Sequence, residues 1–358
     1  MTLPADKPLK KSGVESCFRD LTKFPLPGLC PTEKMASKPT IRDFYKGRSV
    51  LVTGGTGFMG KVLIEKLLYT IPDIGNIYVV MRSKKGDVLF EDLGISSKDM
   101  DMLVDEVSVV FHFAATLRLE APLKECIVMN TTGTQRALNV AKRLKNLAIF
   151  VHLSTAFCYP DYKVLEEKFH CPPADPQDVI RLCDWLDDKQ LVLLTKSLLS
   201  QHPNSYTYSK RLAENLVNDA YAHMPTAIAR PSIVCPSYVD PVPGWVDNLN
   251  GPVGLMLAAG KGVIRTMLCD GSLHAQVIPV DIAINAIIAL AMIEGSKTTK
   301  VQQLGAMCWR SQKYMHASTR SPGPCGILME TSPPTTWLTK SNVCCTIWCL
   351  RISSIFCC

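Results

Sequence analysis

Tyr206 and Lys210 stand four residues apart in the segment YTYSK, a spacing that sets two side chains on one face of a helix. A lysine ammonium beside a phenol favours the phenolate. The pair therefore predicts a tyrosine of lowered pKa, usable as a proton donor near neutral pH. Taken alone, the spacing is common and fits a surface helix pair equally well. An upstream segment, HLSTAFCY, puts Ser154 and Thr155 at the end of an apolar run, beyond the carboxyl edge of a strand, where open α/β sheets bind ligands. A hydroxyl there can hydrogen-bond a developing oxyanion. Thr155 aligns with that role better than Ser154, with one residue of slippage allowed.

A second constellation lies in VLVTGGTGFMGKVLIEKLL, which orders Gly54, Gly57 and Gly60 as G-x-x-G-x-x-G between a strand and a helix. Gly54 permits the tight turn, Gly57 lets backbone approach a pyrophosphate, and Gly60 lets the helix pack close to the sheet. The helix N-terminus then faces the negative charge. The bare pattern would fit any glycine-rich turn, and its strand and helix neighbours make it a dinucleotide site. At the end of the second strand, YVVMRSKKG supplies Arg82, Lys84 and Lys85 in place of an acidic residue. Cations there suit the 2′-phosphate of NADP, although a solvated basic loop would read the same.

Other residues take plainer readings. Asn130 in MNTTGT is expected to cap a helix N-terminus. His112 and His152 sit within apolar runs and are expected to be satisfied core or sheet-end histidines. The cysteines show no paired ligand spacing, so no metal is predicted.

The elements that must position these groups are those of a Rossmann-type, doubly wound α/β fold. Short apolar runs alternate with stretches of helical period. Strands are predicted at Ser49–Thr53, Ile77–Met81, Val107–His112, Ala148–Ser154 and Thr226–Arg230. Gly60, Leu63, Ile64, Leu67 and Leu68 form one apolar stripe, and further helices are expected after Asn130 and from about Tyr206. Residues 236–264 are rich in proline and glycine, as a substrate-binding loop region would be. The 358 residues, 47% hydrophobic and 20% charged, can bury a sizeable core. A net charge of +7 suits small polyanions such as pyridine nucleotides and coenzyme A, and equally fits an incidental balance. No nucleic-acid partner is expected.

Seven of the fifteen cysteines lie beyond residue 300, and the first 34 residues are charged and proline-broken, without the apolar run of a signal peptide. Reduced thiols in a cytosol-facing protein are the expectation. No window reaches the length of a bilayer span, although Val343–Cys358 could lie at an interface. The chain thus divides into an N-terminal extension, 1–40, expected to be disordered; an NADP-binding Rossmann domain, 41–230; a small substrate-binding region, 231–294; and a divergent Cys-rich tail, 295–358.

Taken together, TGGTGFMGKVLIEKLLYTIPDIGNIYVVMRSKKG, VSVVFHFAATLRLE, MNTTGTQRALNVAKRL, VHLSTAFCYP, PNSYTYSKRLAE, IARPSIVCPS, GPVGLMLAAGKGVIRTM and IPVDIAINAII resemble the fatty acyl-CoA reductases. These are extended short-chain dehydrogenases/reductases with a male-sterility-type NAD-binding domain. The likeness covers about Ile41 to Ala291, with MASKPTIRDFYKG from Met35 resembling a family start. It implies that hydride from NADPH reduces the thioester carbonyl of a fatty acyl-CoA and Tyr206 protonates the oxygen. The hemithioacetal then releases coenzyme A, and the aldehyde is reduced again to the alcohol. It further implies that Thr56, Phe58, Asp87, Ala114, Ala115 and Pro231 join the glycines and Arg82 around the cofactor. An asparagine at Asn130 would support the active-site water and lysine. Peripheral attachment to endoplasmic reticulum or peroxisome membrane is expected by the same analogy.

Two departures keep rival readings open. After Glu294 the family pattern gives way to a tail ending in Cys-Cys. Between Arg82 and GDVLFEDLGIS, the family's adenine-side Gly-Asp loop, only Ser83 to Lys85 remain, whereas a parallel crossover needs roughly 10–12 residues. A helix and a third strand are missing on this reading. The chain is then an active reductase, an inactive truncated product that only binds nucleotide, or a relative acting on a sterol or sugar nucleotide. As a hypothesis, a skipped coding segment has brought Gly86 and Asp87 next to the second strand. Sequencing the transcript across this junction should reveal a longer form, and finding only a continuous short message would count against it.

Overall fold

The computed structural model describes residues 40–81, 92–162, 164–268, 275–297, 305–308 and 326–328. Thr40 and Asp43 form a reciprocal capping box that starts α1, Ile41–Tyr45, and its Phe44 and Tyr45 enter the core. Then come β1 (Ser49–Thr53), α2 (Phe58–Thr70) and β2 (Ile77–Val80). Ser96 caps α3 (Ser97–Glu106), which leads into β3 (Val107–His112). Next, α4 (Leu123–Cys126) passes through a π-helical turn, Ile127–Thr132, into α5 (Gly133–Arg143) and then β4 (Ile149–Leu153). Asp175, Asp187 and Asn204 cap α6 (Pro176–Trp185), α7 (Asp188–Leu199) and α8 (Ser205–Tyr221), each side chain accepting a backbone N–H.

The chain continues with β5 (Thr226–Arg230), β6 (Ile233–Cys235), α9 (Pro252–Gly260), β7 (Thr266–Leu268), β8 (Val277–Pro279) and α10 (Val280–Gly295). Two short strands follow, β9 (Gly305–Cys308) and β10 (Gly326–Leu328). The main sheet has the order β2-β1-β3-β4-β5-β9, parallel throughout.

Alternation along the strands divides the core between the two faces of this sheet. Val50, Val52, Val109, Phe111 and Val151 pack with Val62, Leu63 and Leu67 of α2 and Ile284 and Ile287 of α10. Leu51, Val110, Phe150 and Ile228 pack on the other face with Met100 of α3, Leu138 of α5 and Val217 of α8. Strands β1, β3 and β5 are buried along their whole length, which explains their near-continuous apolar sequences. The layout is therefore the doubly wound one expected. The division at 230/231 is not a boundary in the core, because α10 supplies one face of the sheet. Segment 295–358, in which no element was read, contributes β9 to the sheet and β10, which pairs antiparallel with β7. No helix among the described residues is long and apolar enough to cross a membrane.

The region after β5 is fastened to the core by one carboxylate. Asp281 is buried, and its oxygens accept the N–H groups of Tyr238, Val239 and Asp240 at 2.9, 2.8 and 3.2 Å. Burial raises its pKa, but these backbone donors outweigh burial and hold the carboxyl below its ordinary value. A depressed carboxyl pKa stabilises the fold above the unfolded value, and that stabilisation is lost as pH falls through the folded value. Asp281→Asn should therefore lower stability by about 1–3 kcal/mol at neutral pH. In thermal melts the gap from the unsubstituted protein should narrow as pH drops below the carboxylate range. A gap that does not change with pH would exclude the ionised carboxylate as its source.

Candidate active site

The strand order reverses at β1. From β1 the chain steps outward to β2, then returns on the other side as β3, and open α/β sheets bind ligands in the crevice at such a switch point. Gly54 turns there with φ +74°, and a Cβ on it would lie 2.6 Å from Ala114 N. The turn after β1 thus presses against the loop after β3, with Ala114 N–H donating to Thr53 Oγ1 at 3.3 Å. A Cβ on Gly60 would lie 2.3 Å from Gly54 O and 2.6 Å from Gly55 Cα, so this glycine lets the helix close onto its own entry turn. Gly57 is the N-cap of α2 and offers no side-chain cap, which leaves the first N–H groups of the helix turned toward a ligand. Thr56 and Gly57 are exposed, and Phe58, half-buried, stacks on Trp245 at 5.5 Å. A pyrophosphate fits this cradle by shape and by dipole. Arg82 and Asp87 lie outside the described residues.

The reacting-group candidates gather along the same edge of the sheet, since Gly54, Ala114, Ser154 and Pro231 follow the carboxyl ends of β1, β3, β4 and β5 in turn. The β4–β5 ladder runs on past the strands through Ser154 N–H to Ala229 O (2.7 Å) and Ala156 N–H to Pro231 O (2.9 Å). This extended backbone points Ser154 and Thr155 to opposite faces. Ser154 turns toward α8, with its Oγ 3.7 Å from Cys158 Sγ and a hydrogen bond to Glu214. Thr155 Oγ1 accepts Phe157 N–H at 3.3 Å and, being a hydroxyl, keeps a proton to donate. The two adjacent hydroxyls thus face different surroundings.

Tyr206 lies in the first turn of α8 and is half-buried, while Lys210, one turn on, is only 2% exposed. Lys210 Nζ donates to Leu153 O, the last carbonyl of β4, at 2.8 Å. That bond docks the helix onto the strand end carrying Thr155. Burial pushes the Lys210 pKa down to about 8, against Cys158 and Glu214, which raise it. The expected lowering of the Tyr206 pKa is not found. Burial, with Cys158 and Cys126 nearby, raises it, so the phenol stands protonated at neutral pH.

Two plainer readings are also corrected. Asn130 is no N-cap, because the helix begins seven residues earlier and Asn130 sits inside the π-helical turn. Its Oδ1 accepts Thr116 N–H at 2.8 Å, and its Nδ2 donates to Thr116 O (3.3 Å) and Ser209 Oγ (2.9 Å). Ser209 Oγ in turn donates to Tyr206 O, so Asn130 ties the loop after β3 to the Tyr206 helix. His112 is satisfied, by Thr53 Oγ1 at 2.8 Å and Thr134 Oγ1 at 3.1 Å, and burial pushes its pKa to about 3. His152 is not. It is buried against His112, and among the described residues neither ring nitrogen has a hydrogen-bond partner.

Sequence reasoning also passed over a buried cluster below the site. Glu214 and Arg230 are both 0% exposed and paired at 2.7 Å. Tyr159 OH donates to the same carboxylate at 2.5 Å. The signal was present in the spacing, for Glu214 continues the Tyr206, Lys210 stripe by one more helical turn. Trp245 carried no comparable signal.

The model of the male sterility protein family, an NAD-binding family, matches residues 52–88 and 85–287. The break between the two matched pieces falls in the connection from β2 to β3, which runs through α3. Fatty acyl-CoA reductase 1 of Xenopus laevis is 38% identical over 296 residues, covering 73% of this chain and 58% of that protein. Its Homo sapiens namesake is 36% identical over 291 residues, covering 72% and 56%. The chain thus spans little more than half the length of these relatives. The terminal R domain of the myxalamid PKS-NRPS biosynthetic pathway superposes with a TM-score of 0.52 at 21% identity, covering 73% of this chain and 66% of that one. That likeness supports the fold alone. With the glycine turn at the β1/β3 switch point and the family match across the sheet, the chain belongs to the male sterility protein family of NAD-binding domains.

Proposed function

We propose that this chain uses NADPH to reduce a fatty acyl-CoA to the alcohol, with release of coenzyme A. The observation that carries the reading is the Lys210–Leu153 bond. It sets Tyr206 and Thr155 on one edge of the sheet with the glycine turn, in a chain 36–38% identical to proteins named fatty acyl-CoA reductase. The choice of NADPH rests on Arg82, Lys84 and Lys85 after β2, cations that suit a 2′-phosphate. Gly54, Gly57 and Gly60 would hold the pyrophosphate, and the nicotinamide, when bound, supplies one hydride, so that a second NADPH must replace the spent NADP before the aldehyde is reduced.

The chain's own residues then manage charge and protons. Thr155 donates a hydrogen bond to the carbonyl oxygen and steadies it as negative charge grows. Tyr206, neutral at working pH, gives that oxygen its proton. The Lys210 ammonium, one turn along α8, offsets the phenolate left behind. As the tetrahedral carbon collapses, its hydroxyl proton returns to the Tyr206 phenolate and the thiolate of coenzyme A leaves, so that the restored phenol serves the aldehyde.

One observation favours a second reading, nucleotide binding without turnover. Strand β2 is the edge of the sheet among the described residues, and the family match breaks at residues 85–88. Quenching of NADPH fluorescence, with no alcohol formed from acyl-CoA, would select it.

Tyr206→Phe should cut kcat by about 10²–10⁴-fold while leaving the NADPH dissociation constant within about twofold. A variant with unchanged kcat removes Tyr206 from the chemistry. Lys210 loses its proton above pH about 8, so kcat should decline on the alkaline side of that value, which a pH–rate profile would test. Gly60→Ala forces a methyl group onto the backbone of the turn. It should weaken NADPH binding by tenfold or more and cost about 1–3 kcal/mol of stability, measured by quenching titration and thermal melts.

A further inference from the structure

One carboxylate beneath the site is held by two segments besides its own helix. Glu214 lies one helical turn beyond Lys210 on α8. Arg230, the last residue of β5, gives it Nε at 3.0 Å and Nη2 at 2.7 Å. From the turn after β4, Tyr159 OH donates at 2.5 Å and Cys158 Sγ at 3.4 Å, and Ser154 adds a hydrogen bond. The remaining guanidinium N–H groups of Arg230 reach Glu166 O and Lys168 O of the loop beyond. The turn so fastened is the one that carries Thr155, and the helix is the one that carries Tyr206 and Lys210.

We propose that Glu214 is a positioning residue. It locks the Ser154–Tyr159 turn to α8 and supplies the negative charge against which the Lys210 ammonium is kept. This role rests on the reductase reading for its catalytic meaning. Several charged and titratable groups lie on α8 and on the strands and turn packed against it, of which Cys158 and Glu214 raise the Lys210 pKa. From β3 and β4 come His112 and His152, both neutral through burial. Cys158 comes from the turn, its thiol pKa raised by burial, and Arg230 comes from β5. Tyr206, protonated, and Glu214 come from α8 itself. Glu214 is the ionised anion of the set: burial raises its pKa, but Arg230 and the hydrogen bonds of Arg230, Ser154 and Tyr159 outweigh burial and hold it below its ordinary value.

The test compares Glu214→Gln with the unsubstituted protein, labelled with ¹³C at lysine Cε and with the Lys210 signal identified through Lys210→Arg. The expected result is a Lys210 titration midpoint lower by about one unit and an alkaline limb of kcat displaced the same way, with NADPH affinity within about twofold. A folded Glu214→Gln protein with an unmoved midpoint overturns the proposal. If Glu214→Gln does not fold, Tyr159→Phe decides. It leaves the Arg230 pair intact and should raise amide exchange at Ala156–Tyr159 about tenfold, whereas unchanged exchange overturns the proposal. Absence of turnover in the unsubstituted protein would defeat the reductase reading alone, because the midpoint and exchange measurements need no activity.

Discussion

Ionising a carboxylate in a protein interior costs several kcal/mol unless strong partners surround it. Glu214 is such a carboxylate, with no exposed surface, and Arg230 opposite it has none either. The pair is compatible with a folded chain because Nε and Nη2 of Arg230 both address it while Tyr159 takes a further acceptor site. Every one of those donors comes from a different segment than the helix holding Glu214. Satisfying the charge therefore obliges α8, β5 and the turn after β4 to meet in one arrangement. A second arginine adds to the constraint: Arg211 of α8 pairs with Asp161 at 2.7 Å and stacks over Tyr159 at 4.8 Å.

The other half of the site is organised by close approach rather than by charge. The turn after β1 lies so near the loop after β3 that Gly54 has no room for a Cβ, and α2 so near that same turn that Gly60 has none. The region after β5 is drawn onto this half through α2. Lys61 pairs with Asp247 and Lys66 with Asp240, and Phe58, at the start of the helix, stacks on Trp245. Both ion pairs are partly exposed, so each adds little by itself. Their consequence is geometric: the loop expected to face substrate rests on the helix expected to face pyrophosphate.

Much of this was legible from residue types. Strands β1, β3 and β5 are built around short runs of apolar residues, because a strand buried on both faces needs a mostly apolar sequence. The glycine turn and the Tyr206–Lys210 stripe were legible for the same reason, each being a local pattern with a local cause. What escaped depended on distant partners. Helix α7 shows no clean stripe, since Val192 and Leu193 are exposed beside buried Leu191. Asn130 resembled a cap because Thr131, Thr132 and Gly133 follow it. The helix runs through it instead, and its amide is spent on Thr116 and Ser209. The direction of the Tyr206 shift failed likewise, since burial outweighs a neighbouring charge and burial is a property of the whole fold.

The edge of the sheet at β2 bears unequally on the two halves of the site. Strand β2 is half-buried throughout, unlike β1 beside it, and Leu68, Tyr69 and Met81 near that edge are exposed. In this fold class the end of the second strand meets the adenosine ribose, whereas the pyrophosphate sits at the turn after the first. The turn after β1, the strand ends of β3, β4 and β5, and the whole of α8 lie on the interior side of β1. None of the hydrogen bonds that place Thr155, Tyr206 and Lys210 passes through β2. A change at that edge therefore acts on the adenosine end of a bound nucleotide, while Thr155, Tyr206 and Lys210 keep the geometry that the interior strands impose.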